Sequence, residues 1–202
     1  MIGKIRKGRS FGGCIRYVTQ KGDAKIIASE GVLLGTAEEM AQSFRWQCLL
    51  NPDVAKPVGH IALSFKPEDA PRLTDAFMTR LAGEYLELMG IRNTQFIVVR
   101  HHGTDNPHCH IVFNRVDFDG KVISDSNDFR RNERVTKMLK DKYSLTYSEG
   151  KQAVKTEKLH ASERVKYEIY RAVKEALRSA DTWKEFQNKL LKMGVEMEFK
   201  YK

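Results

Sequence analysis

Two apolar segments separated by a short polar turn constrain the fold of this chain more than any other feature. The segment TQFIVVRHH occupies residues 94–102, and PHCHIVFNRVD occupies residues 107–117. Between them, GTDNP supplies glycine, asparagine and proline, the residue types that favour reversal of the chain. The two segments therefore predict an antiparallel pair of strands joined by a turn.

The second segment divides into two faces, because side chains alternate across a strand. Cys109, Ile111 and Phe113 share one face, which we expect to be the core face. His108 and His110 point side by side to the other face, with side chains about 6–7 Å apart. Two imidazoles at this spacing can both reach one metal ion.

Four of the six histidines in the chain lie within residues 101–110. A third imidazole would come from His101 or His102, and periodicity alone does not choose between them. Three neutral imidazoles with open coordination positions are typical of a catalytic metal site rather than a closed structural one. The alternative is that these are surface histidines, which is what an isolated His-x-His on a strand usually indicates. The concentration of histidines on one predicted hairpin favours the metal site.

The remaining segments predict helices and strands that do not alternate regularly, which indicates an α+β fold with an antiparallel sheet. The periodicity predicts strands within 24–34 and 57–69, helices at 36–50, 67–90 and 126–145, a charged connector at 148–160, helices at 161–178 and 181–193, and a closing strand at 194–202.

The composition restricts the class of partner. The net charge of +9 and the pI of about 9.4 favour a polyanion, either nucleic acid or an anionic membrane surface. No run approaches the roughly 18 apolar residues of a membrane span, and no apolar segment follows the basic N-terminus as in a signal peptide. The three cysteines form no CxxC pair, which fits free thiols in a reducing cytoplasm.

The sequence HHGTDNPHCHIVFNRVD resembles the metal-binding motif of the relaxase/mobilisation nuclease family, within the HUH endonucleases, with the P-type mobilisation relaxases as the nearest subgroup. The resemblance implies that His101, His108 and His110 bind the metal and that Asn114 supports the site. Many members carry an acidic residue two positions after the first histidine. This chain has Gly103 there, so that role falls to Asp105 or is absent.

Two further segments strengthen the resemblance. GHIALSFKPED is similar to the family's second motif, a strand ending in Ser-Phe, which makes His60 and Ser64 candidates for supporting the metal ligands or positioning DNA. TWKEFQNKLLKMGVEMEFK is similar to a helix-strand segment that follows the catalytic core in such relaxases.

The resemblance implies a ferredoxin-like antiparallel sheet, with helices packed on one face, the three-histidine site on the other, and additional C-terminal helices. Residues 1–150 would form the catalytic core. Residues 151–202 would form a helical extension with a closing strand, as part of the same domain. A further interpretation is that the chain is the N-terminal part of a longer protein.

A relaxase needs a nucleophile that attacks a DNA phosphorus, and the resemblance places it at Tyr17 in FGGCIRYVTQKGDAK. A phenolate suits this step because it is also a good leaving group when the strand is rejoined. The expected product is a 5′-phosphotyrosyl adduct with a free 3′-hydroxyl. The expected cofactor is a divalent ion, Mn²⁺ or Mg²⁺, and three imidazoles favour Mn²⁺ because Mg²⁺ prefers oxygen ligands.

Basic residues are concentrated in two segments that are candidates for binding DNA phosphates. For the second segment, a solvated helix face is an equally good interpretation. The candidates are Lys4, Arg6, Lys7, Arg9, Arg16 and Lys21 near the proposed nucleophile, and Arg130, Arg131 and Arg134 on the predicted basic helix.

These features predict a DNA relaxase that nicks one strand at a transfer origin for plasmid or transposon mobilisation. Its expected partners are single-stranded DNA at that origin, accessory mobilisation proteins and a coupling protein, in the bacterial cytoplasm. One alternative is a rolling-circle replication initiator with the same chemistry. A second is a non-catalytic module that binds single-stranded DNA and holds a structural metal.

Overall fold

The computed structural model of the protein describes residues 1–20, 22–147 and 161–198. The chain divides into two compact units, Met1–Ser148 and Glu149–Lys202. The first unit contains a β-sheet with helices, and the second contains two helices.

The first unit is built on a five-stranded sheet in which every neighbouring pair of strands is antiparallel. The strand order is β1-β3-β5-β4-β2, so β5 is central and β1 is an edge strand. The strands are β1 (Ile2–Gly8), β2 (Ala24–Glu30), β3 (Val58–Ser64), β4 (Phe96–His101) and β5 (His108–Asn114).

Four α-helices and one 3₁₀ helix accompany the sheet. Side-chain caps define several helix starts: the Ser10 hydroxyl accepts from the Gly13 N–H, and Thr36 forms a capping box with Glu39. The helices are α1 (Phe11–Thr19), α2 (Ala37–Cys48), the 3₁₀ helix (Pro67–Arg72), α3 (Asp75–Leu88) and α4 (Asp128–Tyr143).

Each face of the sheet has its own core. Helices α3 and α4 bury one face, where their apolar side chains meet those of the central strands. Helices α1 and α2 cover part of the opposite face. The first core includes Leu81, Tyr85, Val135, Leu139, Ile61, Leu63, Cys109, Ile111 and Phe113, and the second includes Phe11, Ile15, Met40, Phe44, Val58, Ile97 and Val112.

The predicted α+β fold, with an antiparallel sheet and a three-histidine cluster at one site, is confirmed. Cys109, Ile111 and Phe113, which share one face of β5, face the core beneath α3 and α4, and the histidines lie on the other face. Helices α1 and α2 pack beside the histidines on that face, so helices cover part of both faces rather than one alone.

Two segments differ from the prediction. The single helix predicted at 67–90 is divided, because Pro71 lies in a 3₁₀ helix and Thr74 then caps a new helix through the Phe77 N–H. The basic N-terminus forms strand β1, which was not predicted. Its lysines and arginines conceal the alternation, since an edge strand with one open face needs few apolar residues.

The second unit contains α5 (Ala161–Ser179) and α6 (Trp183–Lys192), which confirm the two predicted C-terminal helices. Ala172, Ala176, Phe186 and Leu190 form its small core. Residues 194–198 are not in a strand, while residues 199–202 of the predicted closing strand and the connector at 148–160 lie outside the described residues. Among the described helices, none is both long and apolar enough to cross a membrane.

The packing of β3 against β5 predicts that Gly59→Ala destabilises the protein. A Cβ at Gly59 would lie 2.1 Å from ring atoms of Phe113, its buried partner across the strands. Moving a buried ring to relieve the overlap costs about 1–3 kcal/mol. Thermal unfolding of the full chain should show a clearly lower midpoint. Gly83→Ala is the matched control, because nothing lies within 4 Å of that position in α3, and alanine favours the helix. A Gly59→Ala protein as stable as Gly83→Ala would contradict this packing.

Candidate metal centre and nucleophile

Three histidines from two neighbouring strands converge on one face of the sheet. His101, at the end of β4, lies directly opposite His108, at the start of β5, and His110 is two residues further along β5. One potential ligand nitrogen from each ring lies within 4.8 Å of the other two. His101 and His110 are only 2% and 5% exposed, whereas His102 is exposed and outside the cluster. The structure therefore brings together the three histidines that the resemblance implied.

Backbone carbonyls determine which nitrogen carries hydrogen in two of these rings. His101 Nε2 lies 2.8 Å from the carbonyl oxygen of Val18, and His108 Nδ1 lies 2.9 Å from that of Asn106. A carbonyl oxygen only accepts, so both ring nitrogens donate. In neutral rings the lone pairs then lie on His101 Nδ1 and His108 Nε2, which face each other at 3.1 Å.

This arrangement fits a bound cation. Two lone pairs that face each other at such a distance repel unless a positive charge lies between or beside them. Two nitrogen ligands of one ion, each about 2.0–2.1 Å from it, are themselves roughly 3–4 Å apart. Carbonyl acceptors for the outer N–H groups are also a usual support for metal-bound histidines. The residues present thus fit a divalent metal ion held by His101, His108 and His110.

The third ring, that of His110, has a histidine as a neighbour. His110 Nδ1 lies 2.9 Å from Nε2 of His60, which reaches it from β3. Burial, and then the nearby charge of Arg6, lower the pKa of His60 below its usual value. The neutral ring that this favours can accept a hydrogen bond at Nε2.

Tyr17 lies beside the histidines near the end of α1. The centroid of its ring is 5.8 Å from that of His110 and 6.0 Å from that of His60. The residue is 59% exposed, so a DNA strand can reach it. Its neighbour Val18 supplies the carbonyl that holds His101, so one turn of α1 positions both the phenol and a potential metal ligand.

An open cleft of about 420 Å³ is lined by residues of β1, α1, β3 and β5, among them Tyr17 and His110. Two exposed basic residues of β1, Lys4 and Arg6, line it from the edge of the sheet, and Arg6 is directly opposite His60. Much of the remaining lining is small, which leaves space for a ligand. The cleft is lined by Lys4, Arg6, Lys7, Gly8, Ser10, Gly13, Cys14, Tyr17, Val58, His60, Ala62 and His110.

Cys14 also lines this cleft, one helical turn before Tyr17. Burial raises the pKa of its thiol to about 11, so the thiol stays protonated near neutral pH. A thiolate is the reactive form of cysteine. Tyr17 is therefore the better candidate for a nucleophile in the cleft.

The other basic residues predicted near the nucleophile have different surroundings. The Lys7 ammonium lies 2.8 Å from Asp125 and 2.7 Å from Asp128, so it ties β1 to the start of α4. Arg16 lies 3.8 Å from Glu38 of α2 and does not line the cleft. Arg9 is exposed at the end of β1, and Lys21 lies outside the described residues.

The predicted basic helix is α4. Arg130 and Arg134 are exposed, whereas Arg131 is half-buried and donates to the Ser124 carbonyl at 3.0 Å. None of these three lines the cleft beside Tyr17. Arg131 therefore holds the loop at Ser124 against α4, whereas the guanidinium groups of Arg130 and Arg134 face solvent.

The residues expected to support the site fall into two groups. Ser64 lies directly opposite His108 on the adjacent strand, and Asp105 is exposed in the turn between β4 and β5. Asn114 is fully buried at the other end of β5, where it donates to the Phe44 carbonyl at 3.0 Å and accepts from the Val116 N–H at 3.0 Å. The structure does not bring Asn114 to the histidine cluster, and its contacts brace the core.

Sequence reasoning missed two supporting groups, the carbonyls of Val18 and Asn106. Backbone atoms carry no sequence signal, and the contact between Val18 and His101 spans 83 residues of chain. Proximity in the sequence could have indicated Asn106, because a turn immediately before His108 can fold its carbonyl back onto that ring.

Comparison with known families identifies the chain independently of this geometry. The family model described as "Relaxase: MobA/VirD2-like, nuclease domain" matches residues 17–145, which is more than half of the 202-residue chain. The match begins at Tyr17 and includes the three histidines. No curated protein matched the chain. The chain belongs to the relaxase family of MobA/VirD2-like nuclease domains.

Proposed function

We propose that this protein nicks one strand of DNA at a transfer origin and remains joined to the 5′ end through Tyr17, so that the strand can be mobilised and later resealed. The observation that carries the proposal is the placement of an exposed tyrosine beside the three-histidine cluster, with its ring centroid 5.8 Å from that of the buried His110. Membership of the relaxase family supports a mobilisation role in general.

The reaction we propose is a transesterification. The Tyr17 oxygen forms a bond to the scissile phosphorus while the bond from phosphorus to the 3′ oxygen breaks. The phenolic proton is released and the departing 3′ oxygen takes up a proton, so no water is consumed. Attack by the 3′-hydroxyl on the phosphotyrosine reverses the reaction, since a phenolate is a good leaving group.

His101, His108 and His110 would hold the divalent ion, and the chemistry it supplies when bound is neutralisation of charge on the non-bridging phosphate oxygens. The chain's own groups orient the reactants. The last turn of α1 presents Tyr17 to the cleft. Lys4 and Arg6 attract the phosphates of a single strand into that cleft, which directs the scissile phosphate toward the tyrosine.

The partners we propose follow from this reaction. The substrate is single-stranded DNA at the transfer origin, and accessory mobilisation proteins and a coupling protein would deliver the complex for transfer. Imidazole ligands suit Mn²⁺ better than Mg²⁺, so we propose Mn²⁺ as the more tightly bound ion.

Replacement of Tyr17 by phenylalanine is expected to abolish the covalent adduct, because the ring remains and only the attacking oxygen is lost. The full chain would be incubated with Mn²⁺ and a labelled pool of random single-stranded DNA, and then analysed on a denaturing gel. Wild type should give an SDS-resistant adduct, and sequencing of the trapped DNA ends would identify the cleavage site.

Tyr147→Phe is the matched control, since Tyr147 is also exposed but its hydroxyl is bonded to Asp141. That variant should form the adduct as wild type does. An adduct that persists in Tyr17→Phe and disappears in Tyr147→Phe would move the nucleophile away from the cleft.

Replacement of His108 by alanine is expected to remove metal-dependent cleavage while binding of DNA in EDTA persists. Loss of a residue that only hydrogen-bonds to a metal ligand weakens metal binding about 10–100-fold. His108→Ala removes a ligand itself, so its Mn²⁺ affinity should fall by more than this. Calorimetric titration with Mn²⁺ measures the first effect and fluorescence anisotropy with single-stranded DNA the second. Unchanged Mn²⁺ affinity in His108→Ala would refute the metal centre.

The double variant Lys4→Ala/Arg6→Ala is expected to weaken DNA binding and reduce its dependence on salt. Each phosphate contact on a single strand contributes about 0.7 to the slope of log affinity against log salt, so two lost contacts should lower its magnitude by about 1.4. Anisotropy titrations over a series of salt concentrations give the slope. Lys121→Ala is the control, because Lys121 is exposed and does not line the cleft. Equal slopes for the double variant and wild type would place the DNA elsewhere.

A further inference from the structure

His60 lines the cleft, but it also contacts His110, and the proposed reaction assigns no role to that contact. Its Nε2 lies 2.9 Å from Nδ1 of His110, and the centroids of the two rings are 5.0 Å apart. The register of β3 and β5 explains the approach: Ala62 is directly opposite His110, and His60 is one position along on the same face. The small side chain of Ala62 leaves the space through which the two rings meet.

The contact gives the His110 ring a preferred arrangement of hydrogens. When Nδ1 of His110 donates to Nε2 of His60, the lone pair of His110 lies on Nε2, on the other side of the ring. The rings of His101 and His108 are supported in the same way, each with one nitrogen donating to an acceptor and the other in the cluster. His60 thus occupies, for His110, the place that a backbone carbonyl occupies for each of the other two.

We propose that His60 is a positioning residue that accepts the Nδ1 hydrogen of His110 and so fixes the rotation and tautomer of that ring for metal binding. This inference rests on the proposed function only in that the three histidines bind a divalent ion. It assigns His60 to the metal centre rather than to DNA, although His60 also lines the cleft. Outer partners of metal-bound histidines commonly contribute about 10–100-fold to metal affinity.

The test compares two amides that differ in reach. In His60→Gln the side-chain oxygen can take the place of Nε2 and accept from His110, whereas in His60→Asn the amide is one carbon shorter and falls short. Calorimetric titration of the full chain with Mn²⁺, without DNA, should give an affinity about 10–100-fold below wild type for His60→Asn and within a few-fold of wild type for His60→Gln. His102→Ala, at an exposed histidine outside the cluster, should match wild type.

Two control measurements distinguish this role from a purely structural role and from direct DNA binding. Thermal unfolding in EDTA reports whether the amide variants differ in stability without metal, and the proposal expects similar midpoints for His60→Gln and His60→Asn. DNA binding in EDTA should be alike in both variants. Equal Mn²⁺ affinities for the Gln and Asn variants would overturn the proposal. So would a DNA-binding defect accompanied by unchanged metal affinity, which would make His60 a DNA contact.

The same titrations distinguish failure of this inference from failure of the proposed function. If wild type binds Mn²⁺, His108→Ala does not, and both His60 variants bind as wild type does, the metal centre stands and only the role of His60 is refuted. If wild type binds no Mn²⁺, the metal centre itself is refuted and the role of His60 falls with it.

Discussion

The register between β4 and β5 is the constraint on which the site depends. It sets His101 directly opposite His108 and leaves Cys109, Ile111 and the residues in phase with them facing the core. A shift by one residue would exchange the two faces, burying imidazoles beneath α3 and exposing apolar side chains. The hydrophobic pattern that folds the sheet therefore also assembles the histidines, so the proposed metal ligands are brought together by the strand pairing itself.

The end of α1 connects Tyr17, the proposed nucleophile, to this cluster. The last carbonyls of a helix have no partner within it, and the Val18 carbonyl finds one in the N–H of His101. Because Tyr17 immediately precedes Val18, the bond that orients His101 also anchors the turn of α1 that carries the phenol. Residues 84 positions apart in the chain are thereby held in one arrangement, which is the preorganisation that the proposed in-line displacement would need.

The sequence was sufficient for those parts of the site that follow from local pattern. Strand alternation assigned His108 and His110 to one face, and the turn-forming residue types of GTDNP predicted the hairpin. Alternation did not separate His101 from His102; the resemblance did, and the structure agrees. The contact of His60 with His110 depends on the register of β3, which pairs segments 50 residues apart and leaves no local signal. Strand β1 was missed because its alternating positions carry lysine and arginine side chains, which conceal the apolar alternation of a strand. Asn114 illustrates the converse, since a motif residue proves to brace the core at a distance from the cluster.

The charges around the cluster explain why imidazoles occupy a largely buried position in a basic protein. The acceptors described for His101 and His108 are carbonyls, and the neighbour of His110 is an imidazole whose pKa is lowered by burial and by Arg6, so these supports bring no negative charge to the cluster. A divalent ion held by neutral groups keeps most of its charge for an external ligand. Lys4 and Arg6 add positive charge along the same cleft. The electrostatic potential of the cleft is therefore expected to be positive, which would attract the phosphodiesters of a nucleic-acid strand. If the histidines bind a divalent ion as proposed, the positive charge of that ion and of the cleft would be balanced by a bound strand rather than by the protein.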